Sequence, residues 1–293
     1  MDPCSRRWGK GLNIRRQAVS RRRMSADASR SLESRMEQLL IFWQYFLLVL
    51  IRMTGLFTLS PIYGRNNVPQ MVKVGLSVLM TFVVVGLFPD QGPAQAGGLF
   101  SLVILCLSEL LVGLTLGFMT TLFFSVVFTA GQMIDMQIGF GMVQVYDVQT
   151  NVPVPIAGSL LNLVLLQCFL TVDGHTRLIA VLMRTFEAMP VGQANFRPEL
   201  ALVVTESFCQ TFLLSVNVAM PVLASGLLAE VALGIIVRSA PQMNVFVIGI
   251  PLKTLLGLLM LSLFIPVFVQ FTGPLFDRMF AAVDTVFRGM APV

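Results

Sequence analysis

The chain has 293 residues, of which 56% are hydrophobic and only 12% charged, whereas soluble domains carry about 25% charged residues. With a mean hydropathy of +0.81, this excludes a soluble enzyme of ordinary make-up and an intrinsically disordered chain, leaving an integral membrane protein or a subunit buried in a larger apolar assembly. The net charge of +5 sits at one end: residues 1–38 hold ten basic against four acidic residues, 10 − 4 = +6, and the rest sums to 10 − 11 = −1.

That basic arm comes first in the chain. Its arginines (Arg6, Arg7, Arg15, Arg16, Arg21, Arg22, Arg23 among them) suit an anionic surface. It does not read as a secretion signal, because the first long apolar stretch begins only near Leu39 and no A-x-A site follows it. Met36, followed by Glu37-Gln38 and the apolar stretch, marks residues 1–35 as a disordered or non-native extension and residues 36–293 as one helical membrane domain.

Six apolar stretches follow, at roughly 39–59, 74–88, 99–130, 156–172, 201–229 and 245–272. A crossing wants about 20 residues to cover about 30 Å. As helices, 74–88 reach only about 22 Å and 99–130 about 48 Å, so one falls short and the other overshoots. Arg52, Glu109, Glu206, Glu230 and Lys253 lie within or beside these runs, each at a cost of about 2.5–3.5 kcal/mol if placed at a bilayer centre. Pro221, Pro251 and Pro266 interrupt the last two runs, which lipid tolerates only where protein neighbours satisfy the freed carbonyls. The link 60–73 carries Arg65 and Lys73 while 89–98 has neither Lys nor Arg. A cytoplasmic arm would therefore place both links against the positive-inside rule. The conflict disappears if the arm is not native, or if the helices do not cross as simple spans. Gly and Pro mark the linkers as turns, and the fold class is all-α: a polytopic helical membrane protein built of helical hairpins.

Chemistry-bearing patterns are sparse. Cys4, Cys106, Cys168 and Cys209 form no C-x-x-C pair, and the single histidine, His175, lies in the polar stretch 173–177, read here as a loop. No catalytic residue, cofactor site or metal site is expected. No G-x-x-x-x-G-K-[ST] loop cradles a nucleotide.

Two segments stand out. Residues 131–155 begin at helical spacing and lose it at Gly139 and Gly141, where glycine frees the backbone, leaving a methionine-bearing loop of about fifteen residues. Residues 238–253 read as a tight helical hairpin: Arg238 complements a helix C-terminus, Pro241 blocks continuation and Asn244 caps the next helix.

The second segment resembles the R-x-A-P-Q-x-N-x-F-x-x-G-x-P-L-K stretch of the FliR family of flagellar export-apparatus membrane proteins. It is matched at every position: Arg238, Ala240, Pro241, Gln242, Asn244, Phe246, Gly249, Pro251, Leu252 and Lys253. Arg52, Gly55, Pro61, Pro69 and Lys73 follow that family's order, as do Gly131-Gln132, Gln137, Gly139 and Asp147 ahead of Pro155. The likeness covers about residues 36–290. The virulence-secretion counterpart SctT shares the Arg-x-Ala-Pro-Gln-x-Asn core, and the Gly249-Ile250-Pro251-Leu252 continuation leans flagellar.

The resemblance implies one subunit of a channel with FliP-like and FliQ-like subunits, served by FlhB-like and FlhA-like components. Such a channel sits in the bacterial inner membrane at the flagellar basal body and passes unfolded export substrates, with the drive supplied by a separate ATPase and the proton motive force. No enzyme activity, cofactor or nucleic-acid partner is implied. The family's plug loop maps onto about Ile138–Val154, with Gly139, Phe140, Gly141, Met142, Val145 and Tyr146 as the gate. Arg52, Pro61, Lys73, Arg238, Pro241, Gln242, Asn244, Phe246, Pro251 and Lys253 take structural or assembly roles. Two rivals remain: a small-solute secondary transporter using the intramembrane charges, and the equivalent subunit of a virulence system.

Overall fold

The computed structural model describes residues 34–64, 68–89, 98–140, 155–239 and 245–291, with backbone only at 245–248; the basic arm before Ser34 lies outside them. Seven helices are described: α1 Ser34–Leu59, α2 Gln70–Leu87, α3 Leu99–Ile138, α4 Ile156–Thr171, α5 Gly174–Ala188, α6 Glu199–Ser239 and α7 Val245–Met290. Five (α1, α2, α3, α6 and α7) are long and apolar enough to cross a membrane, and α4 with α5 forms a pair bent by 66°. The expected helical membrane protein is what the chain folds into.

α3 is the spine. Three glycines bring α1 onto it at backbone contact, the two running parallel. A Cβ on Gly113 would stand 2.2 Å from the Arg52 carbonyl oxygen, one on Gly117 2.9 Å from Leu59 Cβ, and one on Gly55 3.0 Å from the Leu110 carbonyl oxygen. On the next stretch of α3, a Cβ on Gly131 would lie 2.1 Å from Gly158 Cα, so α4 crosses there with no side chain between the backbones. The α6–α7 hairpin packs along α3 as well. Where α3, α4 and α7 meet, Phe124, Phe169, Phe276 and Phe280 form an aromatic cluster, with Phe169 centroids 5.3 Å from Phe124 and 5.2 Å from Phe276 in edge-on geometry.

The corner between α4 and α5 corrects the sequence reading. Residues 173–177 are not a loop: α5 starts at Gly174 and carries His175 on its first turn. Asp173 takes a left-handed conformation, φ 53°, which Asp tolerates better than most residues. Gly174 lies under the Phe169 ring, where a Cβ would meet Cε2 at 2.4 Å. Leu178, Leu182, Thr185 and Phe186 then recur at helical spacing on the buried face. Polarity elsewhere on α5 hid that stripe from a search for apolar runs.

Proline interrupts less than expected. α6 runs through Pro221, and α7 through Pro251, Pro266 and Pro274, as unbroken helices. The runs also extend further than their apolar parts. At 40, 41 and 46 residues, α3, α6 and α7 measure about 60, 62 and 69 Å. A hydrocarbon layer of about 30 Å cannot hold them even at the extreme tilt of about 40°. Yet only 11% of the most apolar window of α6 is buried within the chain. Leu202, Phe212, Leu228 and Ile235 are exposed along it. This apolar surface is longer than lipid alone can cover.

Candidate functional site

The most deeply buried charges lie where α1, α3 and the α5–α6 linker meet. Arg52 and Glu109, both without solvent exposure, pair at 2.5 Å through the arginine Nε and a carboxylate oxygen. The other carboxylate oxygen accepts from the Gly192 N–H at 2.7 Å, and Arg52 Nη1 donates to the Met189 carbonyl at 3.3 Å. The guanidinium carbon stands 4.5 Å from the centre of the Phe186 ring. Such a pair repays its desolvation only when further hydrogen bonds complete it, and here the linker supplies them. Gly192, at φ 84°, takes a conformation suited to glycine that aims its N–H at Glu109. Arg52 Nη2 is left without a partner.

At a second junction Lys73 bonds the turn that contains Pro61. Ser60 to Gly64 form a turn closed by the Gly64 N–H to the Ser60 carbonyl, 2.7 Å, and Lys73 Nζ donates to the Gly64 carbonyl at 3.0 Å. Tyr63, edge-on to Phe57 at 5.2 Å, has its phenol pKa pushed up by burial. The turn thus ties α1 to the start of α2.

A third junction ends α3. Gly139, at φ 99°, closes the helix in the left-handed conformation, its N–H donating to the Asp135 carbonyl at 3.1 Å. The loss of helical period expected at Gly139 is therefore a helix cap. Phe140 packs against the core. The preceding turn plugs into two glycine notches: a Cβ on Gly226 of α6 would meet Gln137 Cγ at 2.5 Å, and one on Gly257 of α7 would meet Ile138 Cγ1 at 2.4 Å. The Thr254 hydroxyl of α7 stands between the Ile250 carbonyl of its own helix, at 3.0 Å, and the Ile138 carbonyl, at 3.2 Å, and shares its one proton between them. Gly141, Met142, Val145 and Tyr146 lie outside the described residues.

At the hairpin, Arg238 occupies the last turn of α6, and Lys253 of α7 is ion-paired with Glu230 of α6. Pro251 sits within α7, two residues before that lysine, and Phe246 lies in its first turn. Pro241, Gln242 and Asn244 lie outside the described residues; α7 begins at Val245, immediately after the position expected to cap it.

Residues 43–279 match the model of the bacterial export proteins, family 1. The chain belongs to that family. Similar relatives carry the name flagellar biosynthetic protein FliR. One from Escherichia coli is 31% identical over 83% of this chain and 93% of its own length. One from Bacillus subtilis is 33% identical over 77% and 88%, and one from Aquifex aeolicus 29% identical over 75% and 84%. The FliR resemblance read from the motifs is thereby established over most of the chain.

Among the described residues no cluster of three His, Cys, Asp or Glu side chains could hold a metal ion. Sequence reasoning flagged Arg52 and Glu109 as separate intruding charges. It missed Gly192 and Met189, whose backbone groups complete the site, because a backbone hydrogen bond across 83 residues leaves no local pattern.

Proposed function

We propose that the chain is the FliR-type subunit of a flagellar type III export gate in the bacterial inner membrane, at the basal body. In this reading it joins FliP-like and FliQ-like subunits around a channel for unfolded flagellar proteins, with FlhB-like and FlhA-like components nearby. Membership of an export family over residues 43–279, with relatives named as flagellar proteins, carries the proposal. The exposed apolar surface of α6, which runs from Leu202 to Ile236 over about 50 Å, is longer than the hydrocarbon layer of about 30 Å and supports it physically: such a surface calls for other apolar helices. The subunit has the role of structure and conduit, not of enzyme.

Within that gate, residues 138–154 serve as the plug. A closed pore must exclude ions and small solutes yet admit varied extended chains. Phe140, Met142, Val145 and Tyr146, carried by Gly139 and Gly141, fill a lumen by apolar contact and need no ring of charge, since apolar constrictions gate by dewetting. Methionine adapts to irregular surfaces. The rival transporter reading needs carboxylates open to an ion path. Glu109 instead has both oxygens engaged in the interior and Glu230 is paired with Lys253; Glu206, exposed on α6 and accepting from Gln210, is the one of these acids open to that role.

Two measurements test the proposal. Affinity isolation of the tagged chain should bring down FliP-sized and FliQ-sized subunits, whereas a lone stable homo-oligomer argues for a different protein. Deleting residues 139–150 should leave that assembly intact and make cells permeable to small solutes at least severalfold above the parent. Unchanged permeability in a normally assembled deletion would sink the plug assignment.

A further inference from the structure

We propose that the cavity enclosed by the end of α1, the middle of α3 and the first half of α4 is a binding site for an uncharged amphiphile, a molecule with a hydrogen-bonding head and an apolar body. Such a site lies apart from the export reading and does not depend on it.

The cavity measures about 370 Å³, within the range of about 300–1,000 Å³ in which ligand pockets fall. Its frame is fixed by the chain itself. The Thr121 hydroxyl of α3 donates to the Leu59 carbonyl at the end of α1. The turn from Ser60 to Gly64 is closed by its own backbone hydrogen bond and held by Lys73. On the far wall, the Phe124 ring is pinned edge-on by Phe169 of α4 at 5.3 Å. Thr58, which also lines the cavity, is exposed, so the cavity opens to the surroundings there.

Two lining side chains are polar, buried and without partners. Ser60 is 2% exposed; its carbonyl is used in the turn, but its hydroxyl has no hydrogen-bond partner. Asn162 is 6% exposed, and among the described residues its side-chain amide makes no hydrogen bond. Ser125, also lining the cavity, satisfies its hydroxyl on the Leu122 carbonyl. The open valences are therefore those of Ser60 and Asn162. Buried polar groups in folded proteins are nearly always satisfied, and an exception points to a water or a ligand that belongs there.

Size and lining select the ligand. A water occupies about 30 Å³ and wants two to four polar partners. About a dozen waters would be needed to fill the cavity, and Leu59, Pro61, Phe124 and Phe128 offer their side of it no polar group from a side chain. Among the described residues no charged side chain lines the cavity, so an ionised head would stay uncompensated. A neutral head that both donates and accepts, an alcohol or an amide, matches the Asn162 amide and the Ser60 hydroxyl. The apolar body then lies against the two phenylalanines, Leu59 and Pro61. Two sources share this chemistry: the glycerol region of a neutral membrane lipid, and a small free amphiphile.

The test uses the assembly as isolated from membranes, delipidated and held in amphipol. Tritium-labelled 1-monooleoylglycerol and acetanilide serve as probes for the two sources. At least one should bind saturably, at one site per chain. Asn162→Leu, which keeps the volume and removes the partner of the head, should weaken that binding at least tenfold, and Ser60→Ala severalfold. Oleate and benzoate, the charged counterparts, should bind at least tenfold more weakly. Binding of 1-monooleoylglycerol alone makes the ligand a lipid, and binding of acetanilide alone makes it a small free molecule; either result, or both, supports the site. No saturable binding of either probe overturns it. So does binding that Asn162→Leu leaves unchanged, or charged counterparts that bind equally well. Should Asn162→Leu fail to assemble, Ser125→Phe, which fills the cavity from α3, takes its place with the same expected loss.

Discussion

Replacing Arg52 by alanine is expected to destabilise the chain by about 3–5 kcal/mol, the cost of leaving a buried partner charge uncompensated. Glu109 would keep only the Gly192 N–H, and the Met189 carbonyl would lose its donor. Against a typical total of about 5–15 kcal/mol, such a loss removes much of the folded population. Chain accumulation in the membrane and thermal unfolding of the detergent-solubilised protein measure it; a midpoint equal to the parent's would show the pair to be dispensable. Removing both charges together, as Arg52→Met with Glu109→Leu, should recover part of the loss. A buried pair often gains little over apolar residues of similar volume. Recovery stays partial because the buried Met189 carbonyl is left unbonded, at about 1–3 kcal/mol, and the half-buried Gly192 N–H loses its acceptor. The pattern separates a charge needed for itself from one kept to pin the α5–α6 linker.

Gly131→Ala carries the second large effect. Its Cβ would stand 2.1 Å from Gly158 Cα and 2.2 Å from Gly158 N, atoms that cannot rotate away. Overpacking of a tight core costs roughly 1–3 kcal/mol, and with backbone on the opposing side the upper end is expected. Gly113→Ala, facing the Arg52 carbonyl at 2.2 Å, should behave alike. Gly75 and Gly234 meet nothing within 4 Å inside the chain. Alanine at these two sites should be neutral, or stabilising by up to about 1 kcal/mol through helix propensity. Unfolding midpoints of the four variants in one detergent decide the matter, and equal midpoints would disprove backbone contact at the two crossings.

These two sets of residues also show where sequence ran out. Gly113 carries no local signal in the sequence and Gly131 stands out only within the Gly131-Gln132 motif; the contact that makes each of them necessary lies on another helix. The same holds for Gly226 and Gly257, whose notches receive Gln137 and Ile138. α5 was legible in principle from Leu178, Leu182, Thr185 and Phe186. It was passed over because half of its surface is polar, and a membrane chain invites a search for apolar runs. The prolines of α6 and α7 misled in the other direction. A proline removes one donor, but helices packed against α3 and against each other keep the rest of the ladder.

Composition and charge placement by themselves determined that this is an apolar helical protein with its basic excess confined to an arm. The motif at 238–253, with Arg52, Pro61 and Lys73, determined its family. Both follow from local pattern: hydropathy is a sum over residues, and a family motif is read in order along the chain. Tertiary structure alone decided that Arg52 and Glu109 are one buried pair completed by the α5–α6 linker, that Lys73 of α2 bonds the turn that holds Pro61, and that the Asp135 side chain of α3 accepts from the first turn of α4. Those are contacts between segments far apart in sequence, and only packing decides which backbone meets which side chain.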